Sequence, residues 1–351
     1  MKSAKLKDIA EAAGVSIPLV SVALSGRTDG TTKLKAETRE RILRIAKELN
    51  YRPNIFGRNL KTNKSFLVGV LFFDVNNHLL GDFIRGVQEK LTEADYSPIA
   101  MVHGTKKEQR HNLELCMDRR VDGLIVNSWI NEETGENDNL FIKKLLPESF
   151  PSIEVFGACI PDIPHFRLEY RTGFYNLCAY LIKNGRKKVA FMCHEDYILN
   201  RQYKDVFLNA MECYEGYEAA MKANFMQQDL LLHPRPGPEK TGTWGDYAYE
   251  ATKEMFGRKD RPDAIACLNC QEAVGVIKAC NELGVNVPEE LAVCAYSDPI
   301  FSHVTSPSIT VCDSNPYAVG RQTAAAVLAR IKGEEVPSVS ILPDILFRNS
   351  C

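Results

Sequence analysis

Strand-like apolar segments alternate with amphipathic helical segments along most of this chain of 351 residues. Residues 66–73 form a continuous apolar run, which is typical of a strand buried on both faces. Helical spacing follows over 79–94, and a second strand pattern covers 97–102. Parallel strands need a crossover, usually a helix, so this alternation predicts a doubly wound parallel sheet.

The alternation continues and then starts again near residue 173, which predicts two α/β lobes. Further strands are expected at 123–127, 152–156, 188–193, 264–268, 291–296 and 341–347, and helices at 173–184 and 272–283. Open parallel sheets bind ligands beyond the carboxyl ends of their strands. Two such lobes resemble those of periplasmic sugar-binding proteins, which close on a ligand between them, and this resemblance implies a ligand cleft.

The first 64 residues follow a different pattern, with three short helices expected at 6–13, 17–24 and 36–49. Gly14 provides the turn after the first helix, and Ser16 is a suitable N-cap for the second. Pro53 should end the third helix, and Asn54 can start a further short helix that is too short to be stable alone. Two helices joined by a tight turn predict a helix-turn-helix unit.

The net charge of −2 hides an asymmetry between these two parts of the chain. Residues 1–64 contain 14 Lys and Arg against 6 Asp and Glu, while the remainder contains 29 against 39. A net charge of +8 on the small helical unit and −10 on the body indicates a polyanion-binding module attached to an acidic domain.

The order of motifs along the chain resembles the LacI/GalR family of repressors. The resemblance is carried by LKDIAEAAGVS at 6–16, by AETRERI and AKELNYRPN within 36–54, and by shorter strings at 120–126, 184–191, 216–221, 261–265, 283–288 and 307–310. It implies an all-α helix-turn-helix headpiece on an α/β body whose two lobes are similar to type I periplasmic-binding proteins.

The resemblance also implies a division into domains. The DNA-binding headpiece is expected at 1–53, a hinge helix at 54–64, and an effector-binding and dimerisation body at 65–351. The first lobe is expected at about 65–165 and 298–332, and the second at about 166–297 and 333–351.

By this resemblance the second helix lies in the major groove of an operator, and hinge leucines enter the minor groove. Ser16 and Ser21 are expected at phosphates, Ile17, Pro18 and Val22 at base edges, and Leu60 as the minor-groove wedge beside Lys61. Leu6 and Asn54 complete the expected DNA contacts. Many relatives have Arg where this chain has Val22.

The effector positions that the resemblance implies are Asp74, Cys213, Trp244, Asn269, Cys270, Ser297 and Asp298. Trp244 stands where relatives stack an aromatic ring, and Asn269 where they offer a hydrogen-bonding side chain. Cys213 replaces an expected arginine, and Cys270 and Ser297 replace expected aspartates. These charged groups would hold sugar hydroxyls or purines, so an ordinary monosaccharide held in the usual way is not expected.

Nothing in the sequence makes a positive case for catalysis or for a cofactor. Cys267 and Cys270 form a C-x-x-C string, but the sequence contains no second half that would complete a tetrahedral metal set. Most of the eleven cysteines are expected as small buried apolar residues of a reducing compartment. No metal, catalytic residue or cofactor is therefore predicted, and the chain is not expected to be an enzyme.

The expected function is a cytoplasmic, nucleoid-associated transcription regulator, most simply a repressor, that binds a palindromic double-stranded DNA operator as a homodimer. A small molecule, such as a carbohydrate or its derivative, is expected in the cleft. No apolar run reaches the roughly 18 residues of a membrane span, so no membrane partner is expected. Three alternatives remain open: an α/β enzyme, an exported solute-binding protein, and a DNA-binding protein whose body senses a protein or nothing.

Overall fold

A computed structural model describes nine stretches of the chain. These are residues 4–25, 34–51, 62–73, 79–128, 139–157, 160–195, 208–234, 242–297 and 299–351. The chain divides into two compact units, Met1–Lys64 and Ser65–Cys351.

Three helices form the first unit: α1 (Leu6–Ala13), α2 (Ile17–Ser25) and α3 (Ala36–Glu48). Their inward faces share one small core, made of Ile9, Ala10, Ala13, Val20, Ala23, Ile42 and Ala46. Gly14 ends α1 with a φ of 63°, a left-handed conformation that a residue with a side chain adopts only at a cost. The three predicted helices of the headpiece are confirmed within one residue at each end.

The second unit contains two six-stranded sheets. The strands are β1 (Leu67–Phe73), β2 (Ser97–His103), β3 (Gly123–Val126), β4 (Ser152–Val155), β5 (His165–Leu168), β6 (Val189–His194), β7 (Asp229–His233), β8 (Ala264–Cys267), β9 (Ala292–Tyr296), β10 (Thr310–Asp313), β11 (Val339–Ile341) and β12 (Asp344–Leu346). Sheet 1 has the order β11-β5-β4-β3-β1-β2, and sheet 2 the order β12-β10-β9-β8-β6-β7. All neighbouring strands are parallel except β10 and β12, which confirms the predicted doubly wound lobes.

Helices cover the sheets on both faces. They are α4 (Leu79–Thr92), α5 (Lys106–Asp118), α6 (Leu140–Leu145), α7 (Tyr170–Lys183), α8 (Leu208–Ala223), α9 (Trp244–Phe256), α10 (Cys270–Leu283) and α11 (Pro316–Ile331). Helices α4 and α11 pack closely on lobe 1, α7 with α8 and α9 with α10 on lobe 2. No helix in the described ranges has both the length and the apolar character of a membrane span.

The structure corrects the predicted division between the lobes. The chain crosses from one lobe to the other after β5, after β10 and after β11. Consequently β10, expected in lobe 1, belongs to sheet 2, while β5 and β11 belong to sheet 1. The single strand expected at 341–347 is two strands in different sheets, because Pro343 lacks the N–H that a continuous strand needs and the chain changes sheet there.

Candidate nucleic-acid interface and effector cleft

The exposed face of α2 is the candidate nucleic-acid interface. Val20 and Ala23 point into the headpiece core, Pro18 and Ser21 are exposed on the other side of α2, and Ser16 is exposed at its N-cap. Ile17 lies on the same exposed face, with 44% of its surface accessible. Ile17 is not part of the headpiece core, so the exposed part of its side chain is available to a partner.

Backbone groups and charge make this end of α2 suited to phosphate. The backbone carbonyl of Ser16 accepts the N–H groups of Leu19 and Val20, so Ser16 occupies the N-cap position as predicted. Helix N-termini leave several N–H groups without intrahelical partners and attract anions. The exposed cations Lys5, Lys7 and Lys35 belong to the same small unit.

Leu6 and Val22 differ from the simple expectation of exposed DNA contacts. Both are half-buried, and Leu6 packs against the headpiece core. Leu6 begins α1, so its backbone amide, rather than its side chain, is at an anion-binding helix terminus. Asn54, Leu60 and Lys61 lie outside the described residues.

In lobe 2, aromatic and imidazole side chains collect at the carboxyl ends of β6 and β7. His194 and His233 end these strands and are partners in the register of the sheet. Trp244, the first residue of α9, lies with its ring centroid 5.1 Å from that of His194 and 6.1 Å from that of His233. The ring of Tyr247 stacks on His233 at 6.4 Å. Trp244 is half-buried, so part of its ring remains accessible at this edge.

His233 also forms a fully buried pair with Glu272. The Nε2 atom of His233 is 3.2 Å from Oε1 of Glu272, and its Nδ1 is 2.9 Å from the Pro234 carbonyl. Burial opposes the imidazolium, but the hydrogen bond and charge of Glu272 outweigh it and raise the pKa of His233. Burial likewise raises the pKa of Glu272. The pair therefore holds one shared proton to a higher pH than a free histidine would.

Asn269 is held by a reciprocal cap at the start of α10. Its side-chain oxygen accepts the Glu272 N–H at 3.0 Å, and its own N–H donates to the Glu272 carboxylate at 3.2 Å. Glu272 thus links the Asn269 cap to His233, and this capping box fixes the position of Asn269 beyond β8.

Ser297 follows β9 with a φ of 75°, in the left-handed region that serine rarely adopts. Its N–H donates to the Cys312 carbonyl at 2.7 Å, which holds the turn in place. A strained residue at the end of a central strand is a feature of ligand sites. Asp298 and Asp74, also expected at the cleft, lie outside the described residues.

Cys213 and Cys270 correct the expectation that their side chains face a ligand. Each is 1% exposed and belongs to the apolar core, Cys213 on α8 and Cys270 at the start of α10. Without the charge of the arginine and aspartate that the resemblance led us to expect, the thiols pack inward as small apolar groups.

The buried cysteines do not form a metal site either. Within the described part of the chain, no group of three or more His, Cys, Asp or Glu side chains is arranged to hold a metal ion. Burial raises the pKa of the Cys267 thiol well above its usual value, which suits a core residue of the C-x-x-C string and not a metal ligand.

Sequence reasoning missed His194, His233, Tyr247 and Glu272. His194 had a detectable signal, because it directly follows the strand expected at 188–193, whereas no strand was expected at 229–233 to point to His233. A second signal was Asn269 followed three residues later by Glu272, the pattern of a capping box.

Two family models match the chain. Residues 5–54 match the bacterial regulatory proteins of the lacI family, and residues 178–351 match a periplasmic binding protein-like domain. Among curated proteins, the chain is 29% identical over 359 residues to the HTH-type transcriptional repressor PurR of Haemophilus influenzae, covering 99% of this chain and 98% of that protein. It is 26% identical to the HTH-type transcriptional regulator RegA of Clostridium saccharobutylicum, covering 98% of each.

The fold is shared with solved structures over the whole chain. The lac repressor dimer bound to operator and the anti-inducer ONPF aligns with a TM-score of 0.77 at 20% identity, covering 99% of each chain. The transcriptional regulator CelR in complex with cellobiose aligns with a TM-score of 0.65 at 20% identity, covering 99% of this chain and 100% of that one. Both curated relatives are named as transcriptional regulators, which agrees with the class of protein expected from the sequence.

Proposed function

The chain belongs to the LacI family of bacterial regulatory proteins, and from that premise we propose that it represses transcription as a homodimer on a palindromic operator. A small molecule in the cleft between the two lobes modulates the binding. This activity belongs to the cytoplasm, at the nucleoid. The domains are the headpiece at 1–53, the hinge at 54–64 and the body at 65–351, with the lobe boundaries moved to the three crossings described above.

The observation that carries the DNA-binding proposal is the exposed face of α2. Ser16, Ile17, Pro18 and Ser21 lie there while the other side of the helix fills the core. Ser16 and Ser21 contact phosphates, and Ile17, Pro18 and Val22 meet base edges. Aliphatic side chains in the major groove contact thymine methyl groups, so the operator half-site is expected to place thymines there.

The effector proposal depends on the carboxyl edge of lobe 2. Trp244, Asn269 and Ser297 lie at this edge. His194 and His233, which were not expected from the sequence, lie beside Trp244. The solved complex with cellobiose has the same fold at low identity, which supports a small molecule in the cleft but does not select its class. The inward-facing Cys213 and Cys270 argue against the charge-assisted grip that a monosaccharide would require.

Selection of bound DNA from a random pool, with and without pooled metabolites, tests the proposal. The full-length protein is expected to enrich a two-fold symmetric sequence, and one metabolite fraction is expected to change the enrichment. Ile17→Ser should weaken binding to the enriched sequence by about 1–2 kcal/mol, roughly 5- to 30-fold, because one apolar base contact is lost.

Leu43→Ser is the matched control. Leu43 lies on α3 with 43% of its surface exposed, against 44% for Ile17 on α2. Because α3 is not the expected reading helix, this variant should bind as the parent does. Enrichment of no sequence at all, or equal losses from both variants, would contradict the proposed role of α2.

A further inference from the structure

Two cysteines outside the effector cleft are in contact with each other. Cys294 lies on β9 and is completely buried, while Cys351 is partly accessible. Cys351 packs against the apolar cluster that contains Cys294, and its thiol donates to the carbonyl oxygen of Val293, the residue before Cys294, at 3.1 Å. One thiol of the pair is therefore open to a small reagent, and the other lies directly behind it.

The segment 348–351 is held firmly against sheet 2, so this contact is built into the fold. The Val293 N–H donates to the Ser350 carbonyl at 2.8 Å, and the Thr310 N–H donates to the Ser350 hydroxyl at 2.8 Å. Thr310 is the register partner of Cys294 on the neighbouring strand. Ser350 is completely buried, and β9 and β10 each donate a hydrogen bond to it. The residue next to Cys351 therefore has a fixed position.

The surroundings of Cys351 favour its thiolate. The Cys294 side chain lowers the pKa of Cys351 against the opposing effect of burial, and the neighbouring Thr310, Ser350 and Arg186 add to this effect. For eight other described cysteines, Cys294 included, burial raises the pKa of the thiol. Thiolates, and not thiols, react with oxidants, so reactivity concentrates at Cys351.

We propose that Cys351 is an oxidation site for hydrogen peroxide and that Cys294 resolves it to a Cys294–Cys351 disulfide. The Cys351 thiolate attacks one peroxide oxygen; an S–O bond forms, the O–O bond breaks, and the departing hydroxide takes a proton to become water. The Cys294 sulfur then attacks the Cys351 sulfenic acid. The S–S bond forms, and the hydroxyl leaves with the Cys294 proton as a second water, so two thiols lose two electrons to the peroxide.

The C-x-x-C string is the competing site, and the structure disfavours it. Cys267 and Cys270 are both buried, at 0% and 1% exposure, so neither is open to a small oxidant as Cys351 is. A disulfide between residues 294 and 351 would also tie the segment after β12 to the central strand β9, whose end forms the Ser297 turn at the proposed cleft. This inference does not depend on DNA binding.

Mass spectrometry of the full-length protein treated with hydrogen peroxide tests it. After free thiols are alkylated, a non-reducing digest is expected to yield one peptide pair joined through Cys294 and Cys351, and a thiol reductant should separate the pair. Cys351→Ser should abolish the pair. Cys280→Ser is the matched control, because Cys280 is a buried thiol of the same lobe whose pKa burial raises to about 11.

A second variant reports on the order of the two steps. In Cys294→Ser, Cys351 should stop at the sulfenic acid, which a dimedone adduct on Cys351 detects; circular dichroism verifies that this variant is folded. The proposal fails if the peptide pair links Cys267 to Cys270, if Cys351 reacts no faster than the buried thiols, or if parent Cys351 is oxidised beyond sulfenic acid without linking. None of these outcomes bears on operator binding, so the two proposals are tested separately.

Discussion

The His233–Glu272 pair shows how a single contact can set the pH response of lobe 2. A histidine with a raised pKa binds its proton more tightly in the folded state than in the unfolded chain. That contribution to stability is complete below the unfolded pKa of 6.5 and is lost as the pH rises through the folded value. The raised pKa of Glu272 acts in the same direction, starting from 4.5.

The free energy of unfolding should therefore fall as the pH rises above 6.5. Glu272→Gln keeps the size of the side chain but removes the charge that holds the imidazolium, so this fall should be absent and the protein less stable by about 1–3 kcal/mol at pH 6. Urea unfolding followed by circular dichroism across this pH range measures both effects. His111→Gln is the control, since His111 is exposed and should leave the profile of the parent. A pH profile of Glu272→Gln identical to that of the parent would exclude the pair as its source.

The sequence predicts residue positions along an element better than it predicts side-chain direction. Asn269 lies between a strand and a helix, as expected from the segments 264–268 and 272–283, whereas Trp244 was assigned by the resemblance alone. Cys213 and Cys270 were placed by analogy with charged residues, and a thiol has no comparable solvation cost that keeps it outside. The direction of these side chains depends on packing partners that are distant in sequence.

At the scale of elements, close helix packing depends on glycine. A Cβ built on Gly320 of α11 would lie 2.2 Å from the Phe83 carbonyl oxygen, and one on Gly86 of α4 would lie 2.1 Å from the Tyr317 carbonyl oxygen. Both obstacles are backbone atoms, which cannot move aside as a side chain could. The two glycines therefore set the distance at which α4 and α11 cross.

Gly320→Ala should accordingly destabilise the body by about 2–4 kcal/mol, because the helices must separate and their shared core must open. Gly81→Ala in α4 is the matched control, since a Cβ there meets nothing within 4 Å. Helix propensity alone should make that variant more stable by up to about 1 kcal/mol. Denaturant midpoints of the two variants measure the difference, and a stabilised Gly320→Ala would refute the close crossing.

The reading helix α2 leads to a prediction about salt. Its exposed face has two serines and two aliphatic residues but no charged side chain, so base-specific polar contacts are few. Affinity must then come largely from phosphates and from DNA shape, and the logarithm of the binding constant should fall steeply with the logarithm of salt concentration. Fluorescence anisotropy measures this slope between about 50 and 200 mM salt, where affinity through phosphate contacts changes strongly. A shallow slope with a guanine-rich consensus would contradict this reading.

Helices were predicted more accurately than the connections between lobes, for a physical reason. Amphipathic periodicity is local, so α1, α3 and α4 could be recognised from their own residues. The crossing after β10 has no such signal, because Thr310–Asp313 is a short buried strand whose partner β9 is specified only by the sheet. Pro343 separates β11 from β12, but the single strand expected at 341–347 was extended through this proline.

At the scale of the whole molecule, the three crossings join the lobes into one body. The ion pair between Arg167 on β5 and Glu212 on α8 adds a link from lobe 1 to lobe 2. A ligand in the cleft can shift the equilibrium between lobe arrangements only through a difference in its affinity for them. In the proposed mechanism this shift reaches the operator through the hinge at 54–64.

The hinge is tested through Leu60, which the sequence places in a segment too short to be an independent helix. A leucine inserted at a base step unstacks and kinks the duplex, and the bend brings more phosphate to the basic headpiece. Pyrimidine–purine steps deform most easily, so such a step is expected at the centre of the operator. Leu60→Ala should weaken specific binding by about 1–3 kcal/mol and reduce the bend, while Leu43→Ala should do neither.

Sedimentation of the full-length Leu60→Ala protein should still show the dimer of the parent, because dimerisation is assigned to the body and not to the hinge. This result separates a lost DNA contact from a lost partner. Gel-shift affinity and a circular-permutation bending assay then report the wedge itself, with parent and variant at the same salt concentration, since phosphate binding changes steeply with salt. If the variant bound and bent its operator as the parent does, the hinge would be only a linker, and coupling between cleft and operator would need another route.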